Sequence, residues 1–135
     1  MKVLTLKQPW ATLISKGLKK YEFRSWKTNY RGEILIHAGK GIDKAALIKF
    51  KDYGPFPSGQ IIAIANITDC IKINDNFNNK IRKMNDLIYG TKNRTGYAWV
   101  LSNIKEIFYK EEIDGHLSLW NYEIDKNEVM KLIVK

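Results

Sequence analysis

The sequence predicts a β-rich α+β fold: a small mixed β-barrel with two to three helices set against it. Short runs of alternating or β-branched residues crowd the chain, and few segments carry helical spacing. Their order (strand, helix, two strands, helix, then mostly strands) does not repeat the βαβ unit of a doubly wound sheet. A chain of 135 residues is the size of one ordinary domain, so a single unit over 1–135 is expected.

The elements follow in order. Lys2 to Leu6 alternates polar and apolar residues as a short strand does. Pro9 suits the first turn of a helix over Pro9 to Lys16, with Trp10, Leu13 and Ile14 at helical spacing and Gly17 fitted to the left-handed position that ends it. Leu18 to Ser25 reads as a strand with Lys20, Glu22 and Arg24 on one face and Tyr21 and Phe23 on the other. Gly32 to Ala38 is a strong strand signal, bounded by Gly39-Lys40-Gly41, which lacks the Walker pattern and reads as a turn. Asp43 is placed to cap a helix carrying Ala45 to Ile48 and Phe50, stopped by Gly54 and Pro55.

The β-branched run from Gln60 to Ile73 predicts a central strand buried on much of both faces. Phe77, Ile81, Met84 and Ile88 then share one stripe of a helix over 77–89, with Gly90 after it, and Asn93 to Gly96 forms a polar loop. Two strands are expected next, Tyr97 to Asn103 and a segment near Lys105 to Phe108 that returns through Asp114-Gly115. Leu117, Leu119, Trp120 and Tyr122 make a last apolar patch, and 127–135 is a short helix or a final strand.

Composition narrows the function classes. Lys and Arg number 23 against 14 Asp and Glu, for a net charge of +9, so the long-range field attracts polyanions. The excess is uneven: residues 1–54 hold 12 basic and 4 acidic side chains, and residues 55–135 hold 11 and 10. A single cysteine, Cys70, permits no intrachain disulfide and favours a reducing, cytoplasmic setting. No secretory leader and no apolar run of about 18 residues stands in the chain, so no membrane partner is expected. His37, His116 and Cys70 are scattered without paired-ligand spacing, so neither a metal nor another cofactor is expected.

The basic excess concentrates from Gln8 to Gly32, where Lys19, Lys20, Arg24, Lys27 and Arg31 interleave with Trp10, Tyr21, Trp26 and Tyr30, and Glu22 is a lone carboxylate. Cations hold phosphates while aromatic faces stack on unpaired bases, so this pattern suits nucleic acid or a nucleotide. Plainer readings stand beside it. Trp10 reads as core by the rule for large aromatics, Lys20, Glu22 and Arg24 as a solvated strand edge, and His37 as a hydrogen-bonded structural residue whose pKa near 6.5 nonetheless permits proton transfer.

The run Gly17-x-Lys19-x-x-Glu22-x-Arg24 matches the GxKxxExR signature of ASCH domains. Gln8-Pro9-Trp10-Ala11, Arg24-Ser25-Trp26, Arg31-Gly32, Pro57-Ser58-Gly59, Asp69-Cys70 and Trp120 also stand where that pattern has them, across most of the chain. The chain thus resembles the ASCH family of the PUA-like superfamily. The resemblance implies a PUA-like barrel, a cleft between the first helix and the barrel lined by Lys19, Glu22 and Arg24, and binding of RNA or other nucleic acid. In that setting Arg24 offers a bidentate contact to phosphate or a base edge, Lys19 a point charge, and Glu22 an acceptor for an exocyclic amine or an anchor for Arg24. Trp10, Trp26 and Tyr30 become stacking candidates, and Arg31 and Lys40 extend the electrostatic track. Replacing Arg24 or Lys19 by Ala is then expected to cost affinity and little stability.

Some ASCH proteins are hydrolases, either amidohydrolases acting on acetylated cytidine or ribonucleases, which would give Lys19, Glu22 and His37 catalytic roles. The amidohydrolase pattern has Thr where this chain has Glu22, and a Glu in the helix after the long strand, where this chain offers Asp75 and Asp86. A protein-interaction module is the third class, with its expected surface at Leu117, Leu119 and Trp120.

Overall fold

A computed structural model describes all 135 residues. Alternating side chains set the strands and decide which way each faces. β1 (Lys2–Gln8), β2 (Tyr21–Arg24), β3 (Gly32–Ile42), β4 (Gln60–Lys72), β5 (Tyr97–Glu106) and β6 (Leu119–Asn121) form one mixed sheet in the order β2-β5-β4-β3-β1-β6. Only β1 and β3 run parallel, with Val3 opposite Leu35 and Thr5 opposite His37. Five α-helices accompany the sheet: α1 (Trp10–Ser15), α2 (Lys44–Lys49), α3 (Asp75–Met84), α4 (Asp86–Tyr89) and α5 (Lys126–Lys131). The β-rich α+β class is therefore that of the molecule. No helix is long and apolar enough to cross a membrane.

Both faces of the sheet are covered, as the β-branched run of β4 requires. Leu4, Ile34, Ile36, Ala63 and Trp99 pack with Ala11 and Ile14 of α1 in one cluster. Their strand neighbours Val3, Leu35, Ile61 and Ile64 turn to the opposite face and meet Ile107 and Val129. A third cluster, Leu13, Tyr21, Phe50, Phe77, Ile81 and Tyr89, seats α2, α3 and α4. Each large aliphatic side chain fully buried in this way contributes about 1.5–3 kcal/mol.

Four local expectations give way to tertiary context. Gly39-Lys40-Gly41 is no turn but the end of β3, because that strand continues its parallel pairing until Ile42 meets Gln8. The separate strand expected near 105–108 is the continuation of β5 to Glu106, with Ile107 adding an isolated bridge to Ile133. A bulge makes the extension possible: three steps on β5, from Ser102 to Lys105, oppose two on β4, from Asn66 to Ile64, and Asn103 takes a φ of 50°. The single helix over 77–89 breaks at Asn85, whose extended backbone ends α3 and whose side chain accepts from Ile88 N to cap α4; Met84 is left exposed. With that break, and with a helical tail, the α-helices number five, beside one 3-10 turn at Lys51–Tyr53, where two to three helices were expected.

The two ends of the sheet face each other without pairing. β6 covers β1 only from Lys2 to Leu4, so the Thr5 carbonyl lies beyond it. Arg24 of the opposite edge strand donates Nη2 to that carbonyl at 3.3 Å. A side chain, not a ladder, thus spans the seam between β1 and β2. Gly96 supports β2 from behind: at φ 90° it lies so close that a Cβ there would stand 2.6 Å from the Arg24 carbonyl oxygen.

Candidate functional site

Gly17, at φ 75°, ends α1 and lets Leu18 N and Lys19 N both donate to the Leu13 carbonyl, at 2.9 and 3.1 Å. The chain reverses there, and Lys19 is carried inward to 3% exposure. Its Nζ donates to the Tyr21 carbonyl, lies 3.5 Å from Glu22 Oε1, and sits 4.9 Å from the Phe23 ring centre and 5.6 Å from that of Trp10. Burial pulls its pKa below the ordinary lysine value, and Glu22 pulls the other way by charge and hydrogen bond.

Glu22 is the hub of the group. Oε1 also accepts from Phe23 N at 3.1 Å, and Oε2 accepts from Arg24 Nη2 at 3.1 Å. The Arg24 guanidinium lies 5.5 Å from the Trp26 ring centre and 5.9 Å from that of Trp99, and its Nε is shielded without a partner. Trp99 is fully buried and donates Nε1 to the Trp26 carbonyl at 3.2 Å, which fixes the loop after β2. The three heads of the signature therefore converge, with Glu22 holding a cation on either side.

The seam opens beside them into a cleft of about 370 Å³. Glu22 and Arg24 line it with Thr5, Lys7, Trp10 and Trp26; side-chain exposures of 12% and 18% place the carboxylate and guanidinium in recess. Trp26 is 43% exposed. Trp10 packs edge-on against Phe50 and donates Nε1 to Asp43 Oδ2 at 3.2 Å, so it serves core and cleft together.

The other expected residues lie elsewhere. Lys19 does not line the cleft but packs beneath it, because the turn at Gly17 directs it inward. Tyr30 packs on the core and donates its hydroxyl to the Glu33 carbonyl. Arg31 turns to the carbonyls of Thr28 and Tyr30 and to Asp69, 3.8 Å away. Lys40 is exposed in a neighbouring groove, 3.8 Å from Glu112.

His37 is fully buried and belongs to a different network. Trp120 Nε1 donates to Thr5 Oγ1 at 2.9 Å, His37 Nδ1 meets the same hydroxyl at 3.1 Å, and His37 Nε2–H donates to the Ile113 carbonyl at 2.9 Å. Burial lowers the pKa of the ring below the usual histidine value, which favours the neutral form with its proton on Nε2 and Nδ1 accepting from Thr5. The ring does not adjoin Lys19 and Glu22, so the three form no acid–base set. No group of three or more His, Cys, Asp or Glu gathers as metal ligands do.

Sequence reasoning passed over Thr5, Lys7 and Trp99, weighed His116 only as a metal ligand, and placed Leu117 only in a protein-interaction surface. Leu117 carried a usable signal, an apolar residue between polar ones just after Asp114-Gly115. It separates from its expected patch: Leu119 and Trp120 pack on the core, while Leu117 is 95% exposed.

A family model described as ASCH domain matches residues 4–127. The chain belongs to the ASCH domain family. The matched span contains the whole Lys19–Glu22–Arg24 group and every residue named in the cleft. This ASCH domain is 26% identical over 133 residues to activating signal cointegrator 1 of Mus musculus and 24% identical over 133 residues to that of Homo sapiens. Each comparison covers 89% of this chain, which spans only about a fifth (22%) of the relative's length. The crystal structure of ASCH from Zymomonas mobilis superposes with a TM-score of 0.56, at 16% identity, over 99% of this chain and 96% of that one, a likeness of fold.

Proposed function

We propose that the seam cleft binds RNA through an unpaired nucleotide, with the base against Trp26 and Trp10 and Arg24 donating to phosphate or to a base edge. The observation that carries this reading is the recessed guanidinium of Arg24, held by Glu22 and the Thr5 carbonyl beside two indoles in an open cleft. A planar cation preorganised among aromatic faces suits a flat, electron-rich, anionic guest. The net charge of +9 favours the same class of partner. Hydrolysis finds less support: Lys19 is sealed from the cleft with its Nζ engaged, and His37 lies in another network.

Binding of short single-stranded RNA, DNA and free nucleosides at two salt concentrations, with mass spectrometry of the mixtures, tests the proposal. Salt-sensitive binding without new products is expected. Trp26→Ala should weaken it roughly ten-fold or more, the loss of one stacking contact. Arg24→Lys, which keeps the charge and loses the fork, should weaken it too. Unchanged affinity in both variants, or the appearance of hydrolysis products, would overturn the reading.

A further inference from the structure

A second recess adjoins the seam cleft and has no role in what is described above. It encloses about 680 Å³, and it shares Thr5, Leu6, Lys7, His116 and Leu117 with the first. Much of its wall is bare backbone, since Gly39, Gly41, Gly59 and Gly115 line it. Gly39 and Gly115 are small for a packing reason, because a Cβ on either would fall within 2.8 Å of Thr5 Cγ2. The result is nevertheless a groove with few side chains to obstruct it. Lys7 lines both recesses, and Lys40 stands only in the second. Lys40 lies 3.8 Å from Glu112 in an exposed pair worth little, so an incoming phosphate can take its place. Asp114 also lines the groove, and it favours a guest that keeps its anionic part toward Lys7 and Lys40.

Leu117 stands on the shared rim. An apolar side chain 95% exposed contributes nothing to the core, and the next residue, Ser118, takes a φ of 58° where the chain turns back into β6. Resting on the reading of the first cleft as a nucleotide site, we propose that the groove is a second subsite for the adjacent nucleotide of a single strand. Leu117 divides the two bases, Lys7 meets the phosphodiester that joins them, and Lys40 meets the next phosphate. The ligand is then an oligonucleotide of at least two residues, not a free nucleoside.

Titration calorimetry of the full chain with nucleoside monophosphates, the matching dinucleotides and a pentanucleotide, in both ribo and deoxy series, tests this. The dinucleotide should bind about ten-fold more tightly than the better monophosphate. Leu117→Ala and Lys7→Ala, both at exposed positions, should each abolish most of that advantage. Lys40→Ala should leave the monophosphate constant unchanged and reduce the pentanucleotide's log–log salt slope by roughly 0.7, the share of one single-strand phosphate contact. Equal affinity for mono- and dinucleotide, or variants that weaken both alike, would overturn the second subsite while leaving the first cleft standing. If no nucleotide of any length binds, and Arg24→Lys changes nothing, the reading of the first cleft fails and takes this one with it.

Discussion

Glu22 carries more bonds than a surface carboxylate needs. It holds Lys19 from below, Arg24 from the side and its own strand through Phe23 N. Oε1 accepts twice and Oε2 once, so the carboxylate anchors Arg24 and still keeps an acceptor site on Oε2 at the cleft. Arg24 in turn ties β2 to Thr5. Truncating Arg24 or Lys19 to Ala should therefore lower the melting temperature, a larger stability cost than the sequence led us to expect, and for Lys19 the reason is burial at 3% exposure; an unchanged melt in both variants would contradict this. His37 gives the residue scale its own prediction. Its folded pKa is lowered by burial, with the His116 charge in the same direction and Asp114 opposing it. The unfolded chain therefore binds the proton more readily, and stability is whole above the unfolded value near 6.5 and declines as pH falls below it. Urea unfolding at pH 7.5 and pH 5.5 should show lower stability at the acid value, and His37→Gln should shrink the difference; a flat profile in the parent protein would contradict the neutral buried ring.

At the scale of elements, the bulge in β5 decides how far the central ladder runs. Asn103 sits at φ 50°, a conformation that costs most L-residues about 1–2 kcal/mol and Asn less. Because its side chain is exposed, replacement tests the backbone alone. Asn103→Ala should lower stability by about 1 kcal/mol and Asn103→Gly should not, as thermal melts can check. Local signals were enough for the element centres. Period-two alternation marked β1 and β2, an apolar run marked the start of β3, Asp43 capped α2 as its position implied, and Gly17 closed α1. They failed at Gly39-Lys40-Gly41, which β1 draws into the sheet, and at Asn85, where a local cap on Ile88 N competes with the helical stripe.

At the scale of the whole molecule, charge and shape act together. The excess of cations lies in residues 1–54, the part of the chain that supplies Lys7, Lys19 and Arg24 at the seam. Electrostatic steering then predicts that association with a single strand slows as salt rises from about 50 to 200 mM, while dissociation changes less. Stopped-flow measurements of both rates check this; a salt effect confined to dissociation would argue against steering.

The sequence by itself determined the β-rich class, the ASCH signature and its three charged residues, since these rest on spacing within a few positions. Only the tertiary structure decided that Lys19 lies buried beside Glu22, that Tyr30, Arg31 and His37 lie outside the cleft, and that Thr5, Lys7 and Leu117 line it. The reason is physical. Alternation says which faces of a strand differ, but the curl of the sheet and the register of strands far apart in the chain choose which edges meet, and the cleft is the gap left where β1 and β2 meet without pairing.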